Sequence, residues 1–163
     1  MDFSNPDPLD PHSHDPNPYP PSDDPAFLLI LIDGQKIKID VPSLQIFTRT
    51  TLTDCYVVSS GHGTSGPFTF SGAALISLLS GYAAKKSDWV LVEVISGDGF
   101  GTRILKEELV NQQTARSIIL ADSIDSRPMT REQGLIRLIV PGETDDALRQ
   151  VKWVSKIVVR RAI

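Results

Sequence analysis

The chain has 163 residues, a length that fits one domain; 40% are hydrophobic and 22% charged, ordinary for a globular protein. Its charge is unevenly placed. Residues 1–25 carry six aspartates and no Lys or Arg, so removing them from the formal −4 leaves the remainder at +2. That mildly basic body suits a small anionic ligand and lacks the clustered Lys/Arg face expected of a nucleic-acid binder. A single cysteine, Cys55, excludes an intrachain disulfide and a cysteine zinc cluster. No apolar run reaches the roughly 18 residues of a spanning helix, and the acidic, proline-rich start is unlike a secretory signal. The expectation is a cytoplasmic protein with no membrane partner.

Eight of the twelve prolines fall in residues 1–25, among Asp, Asn and Ser. Such a segment has little apolar surface to offset its ordering entropy, so a disordered tail is expected there and a folded domain over 26–163. His12 and His14 form an HxH in the tail and read as solvated residues rather than a metal site. FLLILIDGQKIKIDV predicts a β-hairpin about Asp33-Gly34, its second strand wet on the Lys36/Lys38 face. Pro42-Ser43 then opens a short helical turn with Ser43 as cap.

Residues 50–59, TTLTDCYVVS, predict a buried strand. The segment SGHGTSGP, 60–67, reads as a glycine-rich loop that admits close approach of backbone to a ligand. Gly72–Tyr82 predicts a helix, with Leu75, Leu78 and Leu79 on one face. DWVLVEVIS, 88–96, is a strand closed by Gly97-Asp98-Gly99. Ile104–Val110 is a short turn or helix. Strands follow at Ser117–Ala121, at Leu135–Val140 (ended by Pro141-Gly142) and at 151–160. Strands outnumber helices and do not alternate with them regularly, an α+β pattern.

Several strings carry a resemblance. ISGDGF, ILADSIDSRPM, QGLIRLIVPG and LRQVKWVSKIVV occur in that order, and SSGHGTSGPFTFSGAALISLL precedes them. Together they resemble the molybdopterin-binding domain of the sulfite oxidase family over residues 26–163. Arg137 falls on the family arginine, Pro141-Gly142 on its turn, and Arg149, Val151, Lys152 and Trp153 on its closing motif; Pro67, Phe68, Gly72 and Leu75 match the front half. The resemblance implies a compact, mixed-sheet, barrel-like domain with short helices between strands. It also implies a molybdopterin cofactor, a pterin with a dithiolene and a phosphate. Arg137, Arg149 and Lys152 would supply cations for the phosphate, and the backbone of Ser60, Gly61 and His62 would supply donors. Larger relatives carry further domains, so a minimal form with surfaces exposed is expected.

Two aligned positions depart from the family. Ser59 stands where a cysteine thiolate ligates molybdenum, with Ser60, Gly61 and His62 following it. Asp122 stands where a tyrosine lies beside the metal's oxo groups, and a carboxylate there repels an anionic substrate. A Ser59 alkoxide as metal ligand would require ionising a hydroxyl of high intrinsic pKa. Cys55 lies four residues away, roughly 13 Å along a strand, and reads as a small buried hydrophobe. Asp122, beside Ser123 and Asp125, reads as a loop residue. The favoured expectation is a non-catalytic relative that binds a pterin or other small anion, or serves as an interaction module. The alternatives are an active molybdopterin-dependent oxidoreductase with atypical metal ligation, an unrelated β-rich binding domain, and a hydrolase built on Ser59 or Ser60, His62 and Asp122. The hydrolase lacks the nucleophile-elbow motif.

Overall fold

A computed structural model describes residues 23–47, 49–59, 63–82, 89–110, 118–140 and 151–161. The tail up to residue 22, with its HxH pair, lies outside the described residues, as do Ser60, Gly61, His62, Pro141, Gly142 and Arg149.

The first hairpin forms where expected, from β1 (Phe27–Ile30) and β2 (Lys36–Ile39). Gly34 sits at φ +87°, where an L side chain is strained, and its N–H donates to the Leu31 carbonyl at 2.9 Å. The helix α1 (Val41–Gln45) follows, but its cap is Asp40 rather than Ser43. The Asp40 carboxylate accepts from the Ser43 N–H at 2.8 Å, leaving Ser43 inside the first turn.

The long hairpin of β3 (Arg49–Ser59) and β4 (Gly63–Ala74) corrects the reading of 60–67 as a loop. Residues 63–65 pair with Ser59, Val58 and Val57, so cross-strand pairing to a β-branched partner outweighs the loop-like composition. The same pairing shortens the next helix. Gly72–Ala74 are held in β4 by β7 (Ile119–Ile124), and α2 spans Leu75–Tyr82, with Leu75, Leu78 and Leu79 buried as expected. β5 (Leu91–Ser96) and β6 (Gly101–Leu105) join through the Gly97–Gly99 turn; the segment expected as a turn or helix splits into the end of β6 and α3 (Lys106–Val110). β8 (Arg127–Pro128), β9 (Arg137–Ile139) and β10 (Val154–Arg160) complete the chain. The closing strand is shorter than expected because Trp153 turns at φ +50°.

Two sheets result. One has the order β2-β1-β10-β5-β6, with β1 and β10 parallel and the other pairs antiparallel. The second runs β3-β4-β7-β8, with β9 also on β7. Neither is closed, so the barrel-like expectation gives way to two open sheets in an α+β fold. The main core lies between them. Leu29, Val92, Val94, Ile157 and Val159 from the first sheet meet Ala73, Leu120 and Leu138 from the second, with the leucines of α2. A smaller cluster on the other face of the second sheet holds Leu52, Cys55, Phe70, Ile119, Ala121 and Ile124. Among the described residues no helix is long and apolar enough to cross a membrane.

Candidate functional site

The side chain with the most specific environment among the sequence candidates is Asp122. It is not a loop residue but part of β7, and it is buried. Ser71 pairs with Ser123 and Gly72 with Ala121, so Asp122 is the extra residue of a β-bulge. The bulge shifts the alternation of the strand. Ile119 and Ala121 face the smaller cluster, and so does Ile124, at the opposite parity.

The Asp122 carboxylate is gripped at both oxygens. Arg49 Nη1 donates to Oδ2 and Nη2 to Oδ1, each at 2.7 Å, a bidentate fork. The Asp122 side chain is 4% exposed and that of Arg49 37%, so the carboxylate is inside and the guanidinium closes it from solvent. The hydrogen bonds to Asp122 raise the Arg49 pKa above its ordinary value, against desolvation, which lowers it. Arg49 opens β3 and lies 73 residues from its partner. Sequence reasoning missed it; its only signal was a lone cation at the head of a Thr-rich strand.

Beyond the bulge, Asp125 and Ser126 take φ +49° and +67° in the two-residue turn to β8. Asp125 fastens that turn to β4: its N–H donates to the Thr69 carbonyl at 2.7 Å, and its Oδ1 accepts from the Thr69 N–H at 2.9 Å. A cleft of about 240 Å³ opens here, lined by Arg49, Asp122, Ser123, Ser126, Arg127 and Met129 among others. It brings two arginines, Arg49 and Arg127, and one carboxylate together in a lining that is otherwise largely apolar. A second cleft, of about 280 Å³, is lined by Asp24, Gly97, Leu135, Trp153 and Ser155 among others.

The remaining candidates are distributed differently. Arg137 lies on β9 beside Ala121 of β7, is 5% exposed, and has its guanidinium carbon 5.6 Å from the Phe70 ring centroid. Lys152 places its Nζ 5.8 Å from the Trp153 ring centroid. Its stem lies against Gly134, where an added Cβ would meet Lys152 Cβ at 3.1 Å. Trp153 Nε1 donates to the Arg131 carbonyl at 2.6 Å. Neither Arg137 nor Lys152 lines either cleft. Ser59 is described by its backbone only, paired with Gly63. Along β4, Gly63 is eight residues from Ser71, which flanks the Asp122 bulge, or roughly 26 Å of strand.

Cys55, the chain's single cysteine, is 8% exposed in the smaller cluster, its Sγ 3.6 Å from the carbonyl oxygens of Leu52 and Thr53. Its thiol is therefore a core group and not a surface ligand. No group of three His, Cys, Asp or Glu that could hold a metal ion occurs among the described residues.

Comparison with known proteins agrees with the fold. The family model for the oxidoreductase molybdopterin binding domain matches residues 41–162. Among solved structures, the sulfane dehydrogenase SoxCD from Paracoccus pantotrophus is similar at a TM-score of 0.61 and 21% identity, over 83% of this chain. This chain spans 38% of the length of that one. No curated protein matches the sequence.

Proposed function

The chain belongs to the oxidoreductase molybdopterin-binding domain family, and from that premise we propose that it is a non-catalytic member, one that binds a pterin-like or other small anion without the family's metal redox chemistry. The observation that carries this reading is the Arg49–Asp122 fork. Position 122, aligned with the tyrosine beside the metal's oxo groups, holds a carboxylate committed through both oxygens to a guanidinium. A carboxylate held this way offers no hydroxyl to a substrate.

The donor set points the same way. A soft metal of this kind is held by thiolate, and the one thiol of the chain is buried in a core cluster. Ser59, which aligns with the ligand position, supplies a hydroxyl instead. The residues present do not fit a thiolate-ligated molybdenum centre. The anionic part of a pterin ligand would be met by Arg137, Arg149 and Lys152, with Ser60, Gly61 and His62 contributing donors.

The test is composition. Protein purified from a molybdenum-replete, cofactor-competent host is assayed for molybdenum by mass spectrometry and for pterin by fluorescence after oxidation. Pterin without molybdenum is the expected result. Molybdenum at one atom per chain, with pterin, overturns the proposal and restores an oxidoreductase with atypical ligation.

A further inference from the structure

The first sheet has two faces, and only one is used by the main core. Its other face can be read from the register. Leu28 aligns with Lys38 and Lys156, and Ile30 with Lys36 and Val158; Val158 aligns with Glu93, Glu93 with Arg103, and Leu91 with both Arg160 and Leu105. None of these residues belongs to either core cluster. Among the described residues of these five strands, five cations, Lys36, Lys38, Arg103, Lys156 and Arg160, therefore share one face with a single carboxylate. Glu93 is buried between Arg160 Nε at 2.6 Å and Arg103 Nε at 3.3 Å. The face holds a net +4, more than the +2 of the whole body beyond residue 25.

Apolar side chains lie among these charges. Leu28 on β1 and Leu105 on the edge strand β6 are 37% and 43% exposed, Ile30 and Ile95 are half-buried, and Leu91 and Val158 are buried. Among the described residues no element lies over it; Leu44 of α1, Leu78 and Leu79 of α2 and Leu109 of α3 all turn into the main core. An apolar patch rimmed by one sign of charge is the mark of an interaction surface.

The geometry points to this face as the docking surface for the chain's own amino-terminal segment, residues 1–22. That segment carries Asp2, Asp7, Asp10 and Asp15, no Lys or Arg, and Phe3, Leu9 and Tyr19 between them. Its charge and spaced apolar residues complement the face. It is also tethered within reach: residues 24–26 run beside Leu135, Ile136 and Trp153, and the chain enters β1 at Phe27, one residue before Leu28. Twenty-two residues reach about 70 Å when extended, whereas five strands span about 20 Å. Seven prolines in those residues remove backbone donors, so the segment meets side chains across the face rather than adding a strand to its edge. The Asp23–Arg131 pair at 2.9 Å is exposed on both sides and holds the entry only weakly.

The test uses the full chain. A spin label is placed at Ser4→Cys; Cys55 is buried and stays unlabelled while the protein is folded. Amide signals are then followed by NMR. The expected result is intensity loss at Leu28, Lys38, Glu93 and Lys156 at low salt. That loss disappears at about 1 M salt, where the Debye length is about 3 Å. It also disappears in a Lys36→Gln/Lys38→Gln/Lys156→Gln variant and in an Asp2→Asn/Asp7→Asn/Asp10→Asn/Asp15→Asn variant. Salt-insensitive loss, or loss centred on the Arg49–Arg127 cleft, overturns the proposal. Loss passing from labelled chains to unlabelled isotope-enriched chains in a mixture also overturns it, because the occupant is then a second copy. A poly-aspartate peptide gives an independent reading. It should bind the tail-neutralised variant several-fold more tightly than the parent. Equal affinity would assign the face to an external acidic partner and overturn intramolecular docking.

Discussion

Replacing Gly72 with alanine should separate β4 from β7. An added Cβ would lie 1.8 Å from the Leu120 carbonyl oxygen and 2.6 Å from both Leu120 C and Ala121 Cα. All three are backbone atoms, so no side-chain rotation relieves the overlap. Carbon–oxygen contacts between strands normally sit near 3.3 Å, and one strand must retreat by about 1.5 Å. That displacement breaks hydrogen bonds that hold only to about 3.5 Å. The ladder at risk runs from Gly72↔Ala121 to Ala74↔Ile119 and continues into the Leu75 N–H to Ile118 carbonyl bond at 2.9 Å. Two or three buried polar groups left unsatisfied cost about 1–3 kcal/mol each. The expected loss is thus about 4 kcal/mol, out of a total stability on the order of 5–15 kcal/mol. For a chain of this size it should lower Tm by roughly 10 °C. Gly34→Ala is the control: its φ is +87° but nothing lies within 4 Å, so only backbone strain of about 1 kcal/mol applies. Urea unfolding followed by far-ultraviolet circular dichroism compares the two. A Gly72→Ala variant no less stable than Gly34→Ala would refute the steric reasoning.

Three further outcomes are expected. Arg49→Ala leaves a nearly buried carboxylate behind and should cost about 2 kcal/mol, a buried-pair figure reduced for the partial exposure of Arg49; the Arg49→Ala/Asp122→Asn double variant should cost less than the sum of the singles in urea unfolding, and strict additivity would show that the pair is not coupled. The raised Arg49 pKa contributes stability that is complete below the ordinary arginine value and is lost only as pH rises through the higher folded value, so Arg49 gives no slope at neutral pH. Asp40 behaves oppositely. Its pKa is held below the ordinary 3.8, chiefly by the hydrogen bonds from Ser43, so its contribution is present above that value and lost as pH falls through the folded one; Asp40→Asn should flatten the acid limb of a Tm-against-pH curve, and an unchanged limb would remove Asp40 as the cap. Cys55→Ser puts a hydroxyl into the smaller cluster and should destabilise by about 1–2 kcal/mol, while the parent thiol should react with a maleimide only on unfolding; rapid labelling of the native protein would contradict its burial.

Local chemistry was legible in the sequence where it was self-sufficient. The hairpin about Asp33-Gly34 and the leucine spacing of α2 appear as read, though the turn closes from Gly34 N–H to the Leu31 carbonyl; a local turn signal and a three- and four-residue apolar period need no distant partner. The start of β4 was not legible. Gly63–Ser65 have the composition of a loop, and only Val57, Val58 and Ser59 across the hairpin make them a strand. The cap of α1 was displaced because Asp40 and Ser43 are both good cap residues, and the choice rests on which of them takes the extended backbone; Asp40 does, at φ −103° and ψ 177°. Asp122 was misplaced for a long-range reason. Its neighbours Ser123 and Asp125 suggest a loop, but a bulge and an arginine 73 residues away allow a carboxylate inside a strand.

Charge is divided between the two sheets. Ser59, Asp122 and Arg137 all lie on the second sheet, whereas the five cations of the open face lie on the first. The main core separates them, built from residues on the opposite sides of the same strands. In a β-strand, substitution at one parity leaves the other face untouched. The residues at 59 and 122 can therefore change without disturbing the basic face. Phe27, Leu29, Ile157 and Val159 meanwhile support that face from beneath, within the main core. Asp122 adds a constraint of its own. Once Arg49 has closed over the carboxylate, returning a neutral side chain to position 122 leaves a half-buried guanidinium without its anion. A neutral residue at position 122 is therefore best accommodated when Arg49 is altered as well, which couples the two positions.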